Sequence, residues 1–251
     1  MVMLRLLRAE FLKTKRTPFL LIHLLVPVIL SGLFLAYYSY SPWNFNDKIS
    51  VYFQTLVCGF PIIISLVCAM VAEQEAIAGH FQEMLTATKT KIFTFVSKLF
   101  LLLIFGFTAL LVSVGIFSLG SIEMLKENQF DYKFYLIGAC ILFGSQVLLY
   151  IFHFIVSLHF GKGASIGLGI VGALLTALLL TGLGDEIWMY MPYGWGGKFI
   201  QVWSLKASGI ELSLVETGLQ TGIIASICAT LLALIMSCIW FWYWEGRKSE
   251  Y

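Results

Sequence analysis

The chain has 251 residues, 59% of them hydrophobic and 12% charged. Soluble domains carry about 25% charged residues, so this composition excludes a soluble globular protein and puts most of the chain in lipid. The net charge of +2 excludes little by itself, because the distribution of charge carries the information.

Residues 1–17 predict an amphipathic elbow helix lying on the membrane. Leu4, Leu7 and Phe11 fall at helical spacing, and Arg5, Arg8, Lys13, Lys15 and Arg16 can reach anionic headgroups, at about 1 kcal/mol each near the surface. The apolar run that follows is too long for the core of a cleavable signal, so none is expected. Hydropathy then predicts six spans, at 18–40, 50–72, 95–120, 133–158, 163–183 and 217–242, each near the roughly 20 residues that cross a bilayer. No series of alternating strands competes with helices. The fold class is therefore an all-α integral membrane protein of six transmembrane helices. A permease-sized domain fills 18–244, and a tail occupies 245–251. Tyr37, Tyr38, Tyr40 and Trp43 mark one end of span one, and Trp240–Trp244 one end of span six, as rings at headgroup level do.

The polar island 73–91, between spans two and three, stands out against its surroundings. Ile77, Phe81, Met84 and Leu85 fall at i, i+4, i+7 and i+8, which predicts a short amphipathic helix with one apolar face. That face could lie on lipid, pack on its own bundle, or enter a groove on another protein. The segment 184–216 is dense in rings, with Trp188, Tyr190, Tyr193, Trp195, Phe199 and Trp203 around Gly194, Gly196 and Gly197. It predicts an interfacial or re-entrant piece. Asp185, Glu186, Trp188, Tyr190 and Trp195 are candidates there for binding an amphipathic cationic peptide, with membrane anchoring as the plainer role.

Within the spans, ionisable groups are scarce. Lys98 lies near one end of span three and Glu216 at the mouth of span six. His23, His153 and His159 sit toward span ends without a shared face, and no metal site is expected. Gln54, Gln146 and Gln220 predict interhelical hydrogen bonds. The five cysteines lie in apolar stretches and predict no disulfide framework. Gly163 and Gly167 have the spacing of close helix packing, either inside the bundle or at a seam between two permeases.

Charge sets the orientation. The N-terminus, the loops after spans two and four and the C-terminus together hold 11 of the 16 Lys and Arg residues. This predicts both termini in the cytoplasm. No nucleotide site appears: Gly161-Lys162-Gly163 lacks the spacing and hydroxyl of a phosphate loop, and no strand–helix alternation marks a nucleotide domain. No nucleic-acid partner is expected.

Three features in this order carry a resemblance: the basic Arg8-Ala9-Glu10-Phe11-Leu12-Lys13 run, the Glu73–Leu85 loop after span two, and Lys98 opening span three. Over essentially its whole length the chain resembles type-2 ABC exporter permeases, most closely those of lantibiotic immunity transporters in Gram-positive bacteria. The resemblance implies a multi-pass protein of the bacterial plasma membrane with no ATPase site of its own. It implies two copies of a cytoplasmic ABC ATPase holding ATP and Mg²⁺, a second permease (identical or a sister chain), and a peptide substrate. It also makes Glu73, Glu75, Ile77, Gly79, His80 and Phe81 the ATPase-coupling candidates. The alternatives are a permease for another antibiotic, a lipid or an ion, and a membrane sensor or scaffold.

Overall fold

The computed structural model describes residues 2–15, 17–88, 90–127, 129–209 and 218–247. Arg16, Lys89 and Lys248 of the Lys and Arg count lie outside them, as do Glu216 and the rest of 210–216 in the ring-rich segment.

The nine α-helices of the described residues are α1 (Val2–Thr14), α2 (Phe19–Tyr38), α3 (Phe45–Ile77), α4 (Gln82–Thr86), α5 (Ile92–Leu119), α6 (Tyr132–Phe160), α7 (Lys162–Leu179), α8 (Pro192–Ala207) and α9 (Leu219–Tyr243). Six of them, α2, α3, α5, α6, α7 and α9, are long and apolar enough to cross a membrane. Among the described residues there are no strands.

The helix limits differ from the apolar runs for a physical reason. Hydropathy marks where lipid is tolerated, whereas a helix ends where its backbone is capped. Asn44 accepts a bond from the Asp47 amide and starts α3 well before its apolar run; Asp131 does the same for α6 from the Phe134 amide. The 33-residue α3 is roughly 50 Å long at 1.5 Å per residue. It outruns a hydrocarbon core of about 30 Å, so its last turns emerge from lipid. At the other extreme, α7 stops at Leu179, short of the apolar run's end at 183.

Contacts put α1 and the residues after α9 at one end of the bundle, with the turn after α3. Lys13 pairs with Glu75, Arg247 with Glu73, and Lys91 donates to the Trp244 carbonyl. We call this the termini end and the opposite one the far end. The interior has two apolar clusters. One surrounds Phe81, Phe95, Phe154 and Phe241 toward the termini end; the other surrounds Tyr52, Phe53, Phe117 and Phe134 toward the far end. In the second, Tyr52 stacks on Phe117 at 3.7 Å. Its hydroxyl joins Ser31 and Ser113 at 3.1 and 2.9 Å, which ties α2, α3 and α5 with mutually satisfied polar groups.

Small residues pack α7 against α3, but not those expected. The inward stripe is Ser165, Gly169, Gly172 and Thr176. A side chain at Gly169 would collide with Ser65, and one at Gly172 with Tyr193. Gly163 and Gly167 lie off this stripe and face open space. The helical repeat allows only one of the two glycine rows to face α3.

The described part of the ring-rich segment packs into the bundle. Tyr193, at the start of α8, lies against Gly172 midway along α7, and Gly196 lies against Gln146 midway along α6. Further on, Trp203 Nε1 donates to the Phe134 carbonyl, at the far end of α6, at 3.2 Å. So α8 starts inside the bundle and climbs to the far end. Trp188 and Trp195 are buried, contrary to their reading as surface groups. Trp188 covers Gly222 of α9, and Trp195 Nε1 donates to the Met189 carbonyl at 2.9 Å. Asp185, Glu186 and Tyr190 remain exposed, and Asp185 accepts from Lys198 of α8 at 2.5 Å.

Gln54 does not bond between helices. Its amide donates to Ser50 one turn back on α3, a nearer partner than any neighbouring helix provides. Gln146 bonds only the adjacent Ser145, at 3.4 Å, and Gln220 is exposed.

Candidate coupling site at the termini end

The segment after span two is not one amphipathic helix. Helix α3 runs through Ile77, and the chain then turns through three positive-φ residues: Gly79 at 132°, His80 at 50° and Phe81 at 67°. Glycine tolerates such a conformation; His and Phe are strained in it. The turn is closed by the His80 amide on the Ala76 carbonyl and the Phe81 amide on the Glu75 carbonyl. The five-residue α4 follows, and Thr94 Oγ1 fixes it to α5 by donating to the Met84 carbonyl at 2.6 Å.

This turn breaks the helical phase on which the expected apolar face depended. Ile77 is 79% exposed, while Phe81 is 2% exposed and Met84 is buried with it. Ala78, His80, Gln82 and Glu83 are also exposed. The six coupling candidates therefore divide. Ile77 and His80 present their side chains outward, Gly79 permits the turn, and Glu73 is half-buried in ion pairs. Glu75 and Phe81 face inward.

Phe81 is held by the C-terminal tail. Its ring meets Trp244 edge-on at 5.0 Å, and the Arg247 guanidinium lies over it at 5.5 Å. Arg247 also reaches Glu73 at 3.7 Å, where Lys162 of α7 reaches the other Glu73 oxygen at the same distance. Arg247 passes beside Gly161 at the α6–α7 turn, whose φ of 90° and lack of a side chain leave it room. Four parts of the chain thus converge under the turn.

Glu75 sits in a charge cluster that sequence spacing did not reveal. It is 3% exposed. Its Oε1 accepts from Lys98 Nζ of α5 at 2.7 Å and from Lys13 Nζ of α1 at 3.0 Å. Lys98, 1% exposed, also donates to Glu10 of α1. Lys13 reaches Glu10 at 3.5 Å and Glu83 of α4 at 3.1 Å. Burial alone would lower the Lys13 pKa, but attraction to Glu10 and bonds to Glu75 and Glu83 outweigh it. The ammonium is held above its ordinary value. The elbow helix accordingly turns Glu10 and Thr14 toward the bundle and leaves Leu4 and Leu12 outward. The available signal was a Glu-x-x-Lys pair in a basic helix and a lone lysine in an apolar span, since such a lysine needs a carboxylate.

A second feature lies within the spans. A cavity of about 260 Å³ opens between α2, α3 and α5, lined by Val26, Pro27, Leu56, Gly59, Phe60 and Ala109 among others. Its walls are almost wholly apolar. No cluster of three or more His, Cys, Asp or Glu side chains suited to a metal occurs among the described residues.

The described residues thus form a helical bundle with six membrane-length helices and a strained, outward-facing turn at one end. The family model described as "ABC-2 family transporter protein" matches residues 6–176, more than half of the chain, and the chain belongs to that family. It is a multi-pass membrane permease of an ABC transporter, a component that works with an ABC ATPase and usually with a second permease. No curated protein and no solved structure matches the chain.

Proposed function

We propose that this permease expels an amphipathic antimicrobial peptide, of the lantibiotic type, from the bacterial plasma membrane, and that its ATPase docks on the turn after α3. The observation that carries the docking reading is the turn itself. A 79%-exposed Ile77 stands beside exposed His80, on a backbone strained at His80 and Phe81 and braced from beneath by Trp244 and Arg247. A large exposed apolar side chain beyond the end of a span is costly in water and suits a protein groove. Backbone strain kept in place by surrounding contacts is common at working sites.

The termini end faces the cytoplasm in this reading, in keeping with its excess of Lys and Arg. ATP and Mg²⁺ bind in the partner, present in two copies. In this chain Ile77 and His80 make the contact, Gly79 permits the turn, and Glu73, Glu75 and Phe81 fix it in place. The exposed row of Gly163 and Gly167 is the close-approach face for the second permease. The peptide reading draws support from two features: the apolar cavity among α2, α3 and α5, and the exposed Asp185, Glu186 and Tyr190 at the far end.

Ile77→Glu and His80→Glu test the docking. Both side chains are exposed, so insertion and yield are expected to stay at wild-type level. ATPase co-purification and resistance to the peptide are expected to fall together. Wild-type co-purification in both variants would reject the turn as the docking point. Resistance assays across lantibiotics, other antibiotics and lipid-targeting compounds then test the substrate. No gain of lantibiotic resistance on expression with the ATPase would reject the peptide.

A further inference from the structure

Docking on the turn leaves the elbow helix without a part, although its buried charges are tied to that turn. Glu10 and Lys13 come from α1, Glu75 from α3 and Lys98 from α5. Leaving aside the exposed Glu83, the inner part of the cluster holds two carboxylates and two ammonium groups, so removing one leaves the others out of balance. Other contacts join the same helices. Gln74 Nε2 of α3 donates to the Lys13 carbonyl at 3.3 Å, and Phe11 of α1 stacks on Phe105 of α5 at 5.7 Å. Phe19, the first residue of α2, meets the same Phe105 ring edge-on at 5.1 Å. Glu83, beside the turn on α4, shares the Lys13 ammonium. Only a short connector separates Thr14 from Phe19, and it is pinned by the Thr17 amide on the Thr14 carbonyl. A displacement of α1 therefore reaches the start of α2 with little slack.

From this geometry we infer that the elbow helix carries force in the transport cycle. The charge quartet locks α1 to the emergent ends of α3 and α5, so a push on the turn moves α2, α3 and α5 as one body. Glu10, Glu75 and Lys98 are positioning residues, acting through α1 and the turn. The inference rests on the docking reading for the source of the push; the lock itself stands on the contacts.

The test uses spin-label pairs on the full chain in lipid nanodiscs, with native cysteines replaced by alanine. One pair, Leu4→Cys and Gln82→Cys, spans the lock. The other, Tyr40→Cys and Tyr190→Cys, reports on the far end. All four positions are exposed. Lys98→Gln is expected to broaden the first separation. In the ATPase complex it is expected to remove most of the change that a non-hydrolysable ATP analogue produces in the second, with ATPase co-purification intact. Lys98→Gln with Glu75→Gln removes one charge of each sign but leaves Glu10 paired only with Lys13 of the same helix, so the first separation is expected to stay broadened. Lys13→Gln, at the cluster's edge, provides a milder opening of the lock should Lys98→Gln fail to fold. An unbroadened first distance in the folded single variants overturns the lock. A broadened first distance with a full response at the far end overturns the force-carrying role. A wild-type chain that captures no ATPase rejects the docking reading instead, and the first distance still decides the lock.

Discussion

At the termini end, three helices and the turn after α3 meet around two carboxylates and two ammonium groups, with a C-terminal Trp and Arg clamped beneath. At the far end, α8 is wedged into the bundle by Trp188, Trp195 and Trp203, and the ion pairs there, Lys198–Asp185 and Lys48–Glu127, are separate from one another and keep their carboxylates at the surface. The difference concerns how each end resists motion. Charge pairs in a buried site are directional, and removing one member costs far more than removing the set. Ring packing is non-directional and loses stability in proportion to the volume removed. The first arrangement suits an end that must move as a unit. The second suits an end that must stay sealed while helices shift beneath it.

Four substitutions sharpen or break this contrast. Lys98→Met should have the largest effect, costing about 3–5 kcal/mol because Glu10 and Glu75 lose their buried cation and are left to share Lys13. The matched pair Glu75→Gln, Lys98→Met, which removes one charge of each sign and leaves Glu10 with Lys13, should recover most of that loss. Unfolding by SDS titration in mixed micelles reads both, and equal losses in the two would end the distinction. Trp195→Ala should cost about 3–4 kcal/mol by cavity formation, with no partner substitution able to rescue it. The same titration, with tryptophan fluorescence, follows it.

Gly161→Ala comes next. It forces a side chain onto φ 90° and into Arg247, so the tail should be displaced at a cost of about 1–3 kcal/mol. Faster trypsin cleavage at Arg247 checks it. The smallest effect belongs to Asp185→Asn, at about 0–1 kcal/mol, since an exposed carboxylate gains little from its lysine. A loss as large as that of Lys98→Met would mean that the far end, too, is organised by charge.

The helical class and the six spans were legible in composition and hydropathy because crossing lipid imposes an apolar length that needs no tertiary information. Other features were not. Ile77, Phe81, Met84 and Leu85 have perfect helical spacing, yet periodicity assumes an unbroken helix, and three positive-φ residues reset the phase between Ile77 and Phe81. Gly163 and Gly167 matched a packing motif, but the rotation of α7 about its axis is set by Ser65 and Tyr193, residues distant in sequence. Lys98 was visible as a lone cation near one end of a span; its carboxylates lie 23 and 88 positions away.

By itself, then, the sequence determined that the chain is a helical membrane protein with six apolar runs long enough to span, and that it carries no phosphate-loop motif. Each of these follows from local composition or a contiguous motif. Only the tertiary structure decided which side chains of the polar island face out, which glycines touch a neighbour, and that the elbow helix is bound to the turn through buried charge. Those outcomes depend on which helices are neighbours and how each is rotated, and a buried ion pair exists only once folding has brought its two halves together.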